Sequence, residues 1–210
     1  MKLYNFTSSP NAIKVWATIH YLGLEVEHVL VEAGSGAMQT EEYGALNPNR
    51  TMPTLVDGDF HLWESNAIMQ YLANKAGDTK LWPMEARLQA DVSRWQCWQL
   101  TNWGQACRVF LFENLVKRML GRGPADPAKI QEGAELFHRY APILNENLCG
   151  REWVVSEHLT LADFSLASPL CYAKLAGLPW EDYTHIQAWY ERVSALEAWK
   201  KALPEVAKSR

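Results

Sequence analysis

Residues 47–68 hold the groups with the clearest potential for chemistry. Pro53 has no backbone donor, and a cis bond between Met52 and Pro53 would turn the Met52 amide and carbonyl outward, toward an extended ligand backbone. Ser65 has the side chain of a helix N-cap, and a helix N-terminus with a free hydroxyl attracts a carboxylate. Because Glu64 could accept a hydrogen bond from an ammonium, the pair suits the zwitterionic end of a small peptide. The alternative is a plain hairpin followed by an ordinary capped helix.

A hairpin and a helix would position these groups. The pair Asp57-Gly58 lies between the apolar runs 54–56 and 60–63, which is a strong hairpin signal. Apolar residues then continue at helical spacing, which predicts a helix from residue 65 to about residue 76.

The first part of the chain alternates strands and helices. Patterns at 2–5 and 26–31 predict strands around a helix at 11–22, and this order implies a parallel pair joined by a right-handed crossover. A short helix is predicted at 40–46. Residues 78–84 contain Gly, Asp and Pro and are typical of a linker.

The second part of the chain has helical patterns only. The predicted helices cover residues 85–120, 127–148, 160–176, 183–195 and 197–207. We therefore predict an α/β domain over 1–77 and an all-α domain over 85–210.

One helix start in the second part is unusually clear. Thr160 and Asp163 have the spacing of a reciprocal cap, with Asp in place of the commoner Glu or Gln. Leu159 and Phe164 stand where a hydrophobic staple requires them. We assign Asp163 a structural role.

Composition excludes several classes of protein. Hydrophobic residues make up 48% and charged residues 21%, an ordinary soluble balance, and a net charge of −4 gives no reason to expect nucleic acid. No apolar run approaches the roughly 18 residues of a membrane span, and the start is too polar for a signal peptide. The four Cys form no C-x-x-C pair and have no His at metal-ligand spacing, so we predict no metal site and reduced core thiols in a cytoplasmic protein.

Four features occur together in the order and spacing of one family. They are the opening KLYNFTSSPNAIKV, the block NPNRTMPTLVDGDFHLWESNAI, the two-domain layout and the helix start LTLADFSLA. The chain resembles the cytosolic glutathione transferases over essentially its whole length, as a bacterial-type member with theta-, phi- or nu-like features. The resemblance implies an α/β thioredoxin-like N-terminal domain, an all-α C-terminal domain, a cis Pro53 and a homodimer. It implies glutathione as co-substrate and no other cofactor.

The resemblance also implies where glutathione lies. Met52, beside Pro53, would pair its backbone with the cysteinyl part, while Glu64 and Ser65 would hold the γ-glutamyl end. The residues implied at the glycyl end are Gln39 and Thr51. Arg50 replaces a usual Gly. The aromatic candidates for the electrophile pocket are Phe6, Trp103 and Phe110.

The glutathione thiol must ionise, because the thiolate is the nucleophile. The loop over residues 7–11 opens the first helix, where a hydroxyl can donate to the thiolate and the helix N-terminus adds positive potential. Lowering a thiol pKa by ~2 units requires about 2.7 kcal/mol. A hydrogen bond to a charged group supplies roughly 1.5–3 kcal/mol, so one well-placed hydroxyl is enough.

Several residues could be the donor. By its spacing before the first helix, Ser9 matches the position of the serine in the phi-like and theta-like classes, and Ser8 fits an alternative theta-like alignment. Ser9-Pro10-Asn11 also resembles the nu-like Thr-Pro-Asn loop, in which the Asn amide contributes. Tyr4 is the choice that tyrosine-type classes suggest, but it lies in the first strand. Otherwise, Ser8 and Ser9 simply cap the helix.

We predict an enzyme that conjugates the glutathione thiolate to small hydrophobic electrophiles, a detoxification activity. No Cys precedes Cys97, so the first loop cannot form a mixed disulfide through its own thiol. Two alternatives stay open. One is glutathione-dependent disulfide reduction, as in the nu-like class, and the other is a glutathione-fold binding protein without catalysis.

Overall fold

The computed structural model describes residues 1–32 and 34–208 and divides the chain into two compact units. Of the described residues, the first unit comprises Met1–Trp82 and residues 196–208, and the second comprises Pro83–Ala195. Within the described residues, no helix is both long enough and apolar enough to cross a membrane.

The first unit contains a mixed four-stranded sheet in the order β2-β1-β3-β4. The strands are β1 (Lys2–Asn5), β2 (Glu27–Leu30), β3 (Thr54–Asp57) and β4 (Phe60–Trp63). Strand β1 is parallel to β2 and antiparallel to β3, and β3 is antiparallel to β4. Asp57 pairs with Phe60 and Gly58 turns the chain at φ 64, so the predicted hairpin is confirmed.

Three helices precede the second unit. They are α1 (Pro10–Leu22), α2 (Glu41–Leu46) and α3 (Ser65–Ala76), with a 3₁₀ turn at Ala37–Gln39 before α2. Helices α1 and α3 pack against each other, and the fully buried side chains of Leu3, Ile13, Leu55 and Ile68 form part of the core. The predicted combination of strands and helices is therefore confirmed for this part of the chain.

The second unit is mostly helical, as predicted. Its helices are α4 (Ala86–Trp98), α5 (Gly104–Leu111), α6 (Lys117–Met119), α7 (Pro127–Asn147), α8 (Leu161–Ala167), α9 (Ala173–Ala176) and α10 (Thr184–Ala195). The single helix predicted over 160–176 is wrong, because a 3₁₀ segment at Ser168–Tyr172 separates α8 from α9. Pro169 cannot donate the backbone hydrogen bond that would continue α8.

The long helix predicted over 85–120 contains two π-helical segments, Gln99–Trp103 and Phe112–Val116. Their i→i+5 hydrogen bonds change the phase of the helix. Trp98 and Trp103, five residues apart, consequently stack with ring centroids 6.1 Å apart and planes 9° from parallel. Regular helical spacing would put these two rings on different faces.

Asp163 accepts hydrogen bonds at the start of α8. Its carboxylate accepts from the Thr160 amide at 2.8 Å and hydroxyl at 3.1 Å, from the Val154 amide at 3.0 Å and from the Trp189 indole at 2.9 Å. Burial raises the pKa of Asp163, and these hydrogen bonds oppose that rise. The predicted reciprocal cap is confirmed.

The four cysteines are all free thiols. Cys107 and Cys171 are buried, whereas Cys97 and Cys149 are exposed. The prediction of core thiols is therefore wrong for Cys97 and Cys149, whose side chains do not contribute to a core.

The chain returns to the first unit at its end. Helices α11 (Glu197–Ala202) and α12 (Glu205–Lys208) lie there, and α11 packs against α1. Trp199 on α11 is fully buried. The sequence-based division assigned all of 85–210 to one domain, whereas here residues from Leu196 group with the first unit because α11 covers α1.

Candidate active site

Strand register brings the predicted binding segments to one end of the sheet. Tyr4 pairs with Thr54, and Thr54 pairs with Trp63. The loop after β1, the Met52-Pro53 step before β3 and the residues after β4 therefore emerge side by side. Asn5 pairs with Leu30 in the parallel direction, so the segment after β2 begins at the same end.

The loop after β1 presents Ser9 at the start of α1. Ser9 is the N-cap by position, with φ −76 and ψ 125, but its side chain makes no capping hydrogen bond. Its carbonyl accepts from the amides of Ala12 and Ile13, each at 2.9 Å. The alternative in which Ser9 is a side-chain cap is therefore wrong, and the half-buried hydroxyl is left for another role.

The other candidate donors lie nearby in the chain. Ser8 precedes Ser9, and Asn11 is the second residue of α1, with both side chains half-buried. Tyr4 packs its ring edge-on against Tyr43, with centroids 6.0 Å apart. Tyr4 thus has a packing role on the sheet, while the two serines and Asn11 surround the helix N-terminus.

The start of α3 has an unusual backbone. Glu64, not Ser65, is the N-cap, so the predicted N-cap position is wrong by one residue. Glu64 has φ 70, which residues with a side chain rarely adopt, at a typical cost of about 1–3 kcal/mol. Its exposed carboxylate makes no capping hydrogen bond. Ser65, the first helical residue, is 4% exposed, and the uncapped first turn can attract an anion.

A buried lysine connects α1 to this turn. Lys14 is fully buried, and its ammonium donates to the side-chain carbonyl of Asn66 at 2.6 Å. Burial lowers the pKa of Lys14 to about 7, and the negative charge of Glu64 acts in the opposite direction. The contact holds the first turn of α3 close to the second turn of α1, so the Ser9 and Glu64 ends of the site share one support.

The Met52-Pro53 bond is cis, as the resemblance implies. Asn47, which is fully buried, donates from its amide to the Thr51 carbonyl at 2.9 Å and to the Thr54 hydroxyl at 3.0 Å. The Tyr43 hydroxyl donates to the same Thr51 carbonyl at 2.7 Å. Across the described ranges no hydrogen bond involves the Met52 backbone, so its amide and carbonyl are free to pair with a ligand.

Arg50 anchors the neighbouring loop. Its guanidinium donates to the Met38 carbonyl at 3.0 Å and the Thr40 carbonyl at 2.7 Å, and its φ of 52 is a backbone angle that glycine adopts more readily than other residues. These bonds tie the 3₁₀ turn carrying Gln39 to the segment carrying Thr51. Both of those side chains are exposed.

The predicted pocket residues separate into two groups. Phe6 is half-buried in the loop before Ser9. Trp103 is fully buried in the second unit, where its indole donates to the Leu166 carbonyl at 3.0 Å and its ring packs on Phe137. Phe110 is 3% exposed and also packs on Phe137. Their burial leaves Trp103 and Phe110 without a surface to offer a substrate, so only Phe6 stays a candidate.

Known protein families match both parts of the chain. Family models match residues 1–74 (Glutathione S-transferase, N-terminal domain) and residues 114–197 (Glutathione S-transferase, C-terminal domain). Glutathione S-transferase 3 of Zea mays is 30% identical over 216 residues, covering 98% of this chain and 94% of the relative. The chain belongs to the glutathione S-transferase family.

Solved structures agree with this assignment. A theta-class glutathione S-transferase from Xanthomonas axonopodis pv. citri, solved with glutathione bound, has a TM-score of 0.86 at 25% identity and covers 96% of each chain. A delta-class enzyme from Nilaparvata lugens has a TM-score of 0.86 at 28% identity, covering 99% of this chain and 94% of that one. These relatives come from plants, bacteria and insects, so the bacterial-type, theta-, phi- or nu-like assignment stays a prediction.

Sequence reasoning missed three residues that support the site. Lys14 is a charged residue on the otherwise apolar face of α1, and in the sequence Asn47 looks like an ordinary loop asparagine. Arg50 was noted only as a replacement for glycine. A lysine inside an otherwise apolar helix face was the one available signal, because a fully buried lysine requires a partner.

Proposed function

We propose that this protein is a glutathione transferase that conjugates the glutathione thiolate to small hydrophobic electrophiles. The observation that carries the proposal is the uncapped start of α3, where Glu64 adopts φ 70 beside the buried Ser65, next to an α1 start whose Ser9 hydroxyl is not used for capping. Strain of this kind persists where the surroundings impose it, typically at functional sites.

Glutathione would bind along the end of the sheet. The Met52 backbone, beside cis Pro53, pairs with the cysteinyl part. The Glu64 carboxylate accepts from the γ-glutamyl ammonium, and the γ-glutamyl carboxylate accepts from the Ser65 hydroxyl and the first-turn amides of α3. The glycyl end then points toward the exposed side chains of Gln39 and Thr51.

This placement leaves the sulfur near the start of α1. There the Ser9 hydroxyl donates to the thiolate, at roughly 1.5–3 kcal/mol, and the helix N-terminus adds about 0.3–1 kcal/mol. The sum covers the about 2.7 kcal/mol needed for a ~2-unit fall in the thiol pKa. Ser8 and Asn11 are the alternative donors, and Phe6 offers the electrophile an apolar contact.

Ser9→Ala tests the proposal. The variant should raise the pKa of bound glutathione by about 1–2 units, since one charge-assisted hydrogen bond is lost. Thiolate absorbance against pH measures this, together with turnover of a chloronitrobenzene-type substrate. Ser8→Ala, Asn11→Ala and Tyr4→Phe are matched controls that should leave the pKa unchanged.

An unchanged thiol pKa in Ser9→Ala with a raised one in Ser8→Ala or Asn11→Ala would move the donor to that residue. No turnover by the wild type across a broad electrophile panel would refute conjugation. Reduction of hydroxyethyl disulfide would then identify the reductase alternative. Absence of any glutathione binding by calorimetry would leave only a non-catalytic protein of this fold.

We also propose that the protein is a cytoplasmic homodimer. Support for self-association comes from large apolar side chains exposed on β4, where Phe60 is 45% and Trp63 39% exposed. Sedimentation of the wild type against Trp63→Glu tests this, because a charge at a buried interface should favour the monomer.

A further inference from the structure

Lys14 is the most unusual charged residue among those described. Lysine is almost never fully buried unless it has a partner, and Lys14 has no exposed surface. A hydrophobic residue of similar length would fill the same volume without the cost of burying an ammonium. Its presence therefore calls for an account beyond packing.

The position of Lys14 connects the two ends of the proposed site. Its ammonium donates at 2.6 Å to Asn66, the second residue of α3 and the direct neighbour of Ser65. Along α1, Lys14 follows Pro10 by four residues, about 6 Å of helix rise from the end that carries Ser9. The ammonium thus lies beneath the first turn of α3.

The surroundings hold Lys14 near the balance between its two protonation states. Burial lowers the pKa of Lys14 to about 7, and Glu64 is the charged group that acts to raise it. Among the described residues, Glu64 is the charged side chain that acts on the pKa of Lys14. On the helices packed against α1, Lys75 of α3 pairs with Asp57 and Lys200 of α11 pairs with Glu197. The positive charge of Lys201 on α11 acts instead on His20, whose pKa is lowered by burial and by this charge.

Resting on the proposed function, we propose that Lys14 is a positioning residue for glutathione. Its buried ammonium holds Asn66 and adds positive charge beneath the first turn of α3, where the γ-glutamyl carboxylate docks. Binding of the tripeptide therefore draws a proton onto Lys14.

Linkage between ligand binding and protonation determines whether protons are taken up or released. An anion docked near Lys14 favours the charged form, so the pKa of Lys14 rises on binding and the complex holds more protons than the separate partners. For a one-unit rise from about 7, the uptake at pH 7 is about 0.4 proton, from roughly half charged to about nine-tenths charged. The same rise makes the charged form bind about tenfold tighter.

Calorimetry with S-methylglutathione measures this uptake, because its sulfur cannot ionise. Titrations in two buffers with different ionisation enthalpies give the number of protons bound. For the wild type we expect uptake near zero at about pH 5.5, rising to about 0.5 proton at about pH 7.5. This profile needs no variant.

Two substitutions separate charge from packing. Lys14→Met should lose the uptake and bind S-methylglutathione about fivefold more weakly at pH 7, since about half of the wild type is charged before binding. Lys14→Arg should keep the affinity but also lose the uptake, because a guanidinium stays charged. Lys75→Met, on the exposed part of α3, is the matched control and should change neither quantity. Thermal melts establish that each variant is folded.

The outcomes separate this inference from the function on which it rests. No binding of S-methylglutathione to the wild type would overturn both. Binding with the same uptake in folded Lys14→Met would overturn the role of Lys14 and leave the proposed function standing. If neither Lys14 variant folds, a wild-type uptake that stays flat from about pH 5.5 to about pH 7.5 would overturn the inference.

Discussion

Asn47 should contribute far more to stability and ligand affinity than the neighbouring Asn49. The Asn47 side chain donates to the Thr51 carbonyl and the Thr54 hydroxyl and accepts from the Asn49 amide, at 2.9–3.0 Å. Each such bond is worth about 0.5–1.5 kcal/mol net, so Asn47→Ala should lower the free energy of unfolding by about 3 kcal/mol. Urea denaturation measures this change.

Asn49→Ala is the control, because it makes the same substitution two residues away. The Asn49 side chain is exposed, and its amide donates only to the Asn47 side-chain oxygen, at 3.3 Å. We expect a loss of about 0.5 kcal/mol or less, as for most surface substitutions.

Ligand affinity is a second measurement that compares Asn47→Ala with Asn49→Ala. Loss of Asn47 removes a support of the loop before Met52, so S-methylglutathione should bind at least about tenfold more weakly, a change worth about 1.4 kcal/mol. Equal destabilisation by the two variants, or unchanged affinity in a folded Asn47→Ala, would refute the idea that Asn47 holds this loop for the ligand.

Three further predictions concern other parts of the chain. A thiol reagent should modify two cysteines per native chain, Cys97 and Cys149, and the other two only after denaturation; four rapid reactions would contradict the observed burial. Asp163→Ala should destabilise the protein by at least about 3 kcal/mol in urea, because buried donors lose their acceptor, whereas the exposed Glu157→Ala should have little effect. Arg50→Gly should be about 1 kcal/mol more stable than Arg50→Ala, because both lose the guanidinium bonds but only glycine suits φ 52; equal stabilities would show that the backbone carries no strain.

Local signals in the sequence predicted the elements that depend on local chemistry. Asp57-Gly58 located the hairpin, apolar spacing located the helix at 65–76, and Thr160 with Asp163 located the reciprocal cap. In each case the residues that determine the structure are within a few positions of one another, so a short pattern contains the information.

Features that depend on tertiary contacts were not predictable in this way. The π-helical segment at Gln99–Trp103 changes the helix phase without a proline or glycine within it, and the burial of Trp103 follows from that phase. Glu64 takes the N-cap position because its backbone adopts φ 70, which no propensity of glutamate favours. Tertiary structure thus overrides local preference at these positions.

The sequence predicted the segments of the candidate site that face the ligand. It did not predict the buried residues that hold those segments in place. Met52, Glu64 and Ser65 emerge at the same end of the sheet because the strand register requires it. Lys14 and Asn47 act through partners 52 and 7 residues away in the chain, respectively, so their importance appears only once the chain is folded.

The packing of α11 on α1 has a consequence for how the protein is made. During synthesis, when Trp82 leaves the exit tunnel, every strand of the sheet has been released but the helix that covers α1 has not. Trp199 is buried within the first unit, so that unit reaches its mature core only when α11 has also left the exit tunnel. An exchange of N-terminal domains between relatives should therefore transfer the C-terminal helices as well, because a graft ending near residue 82 would leave a face of α1 without its native cover.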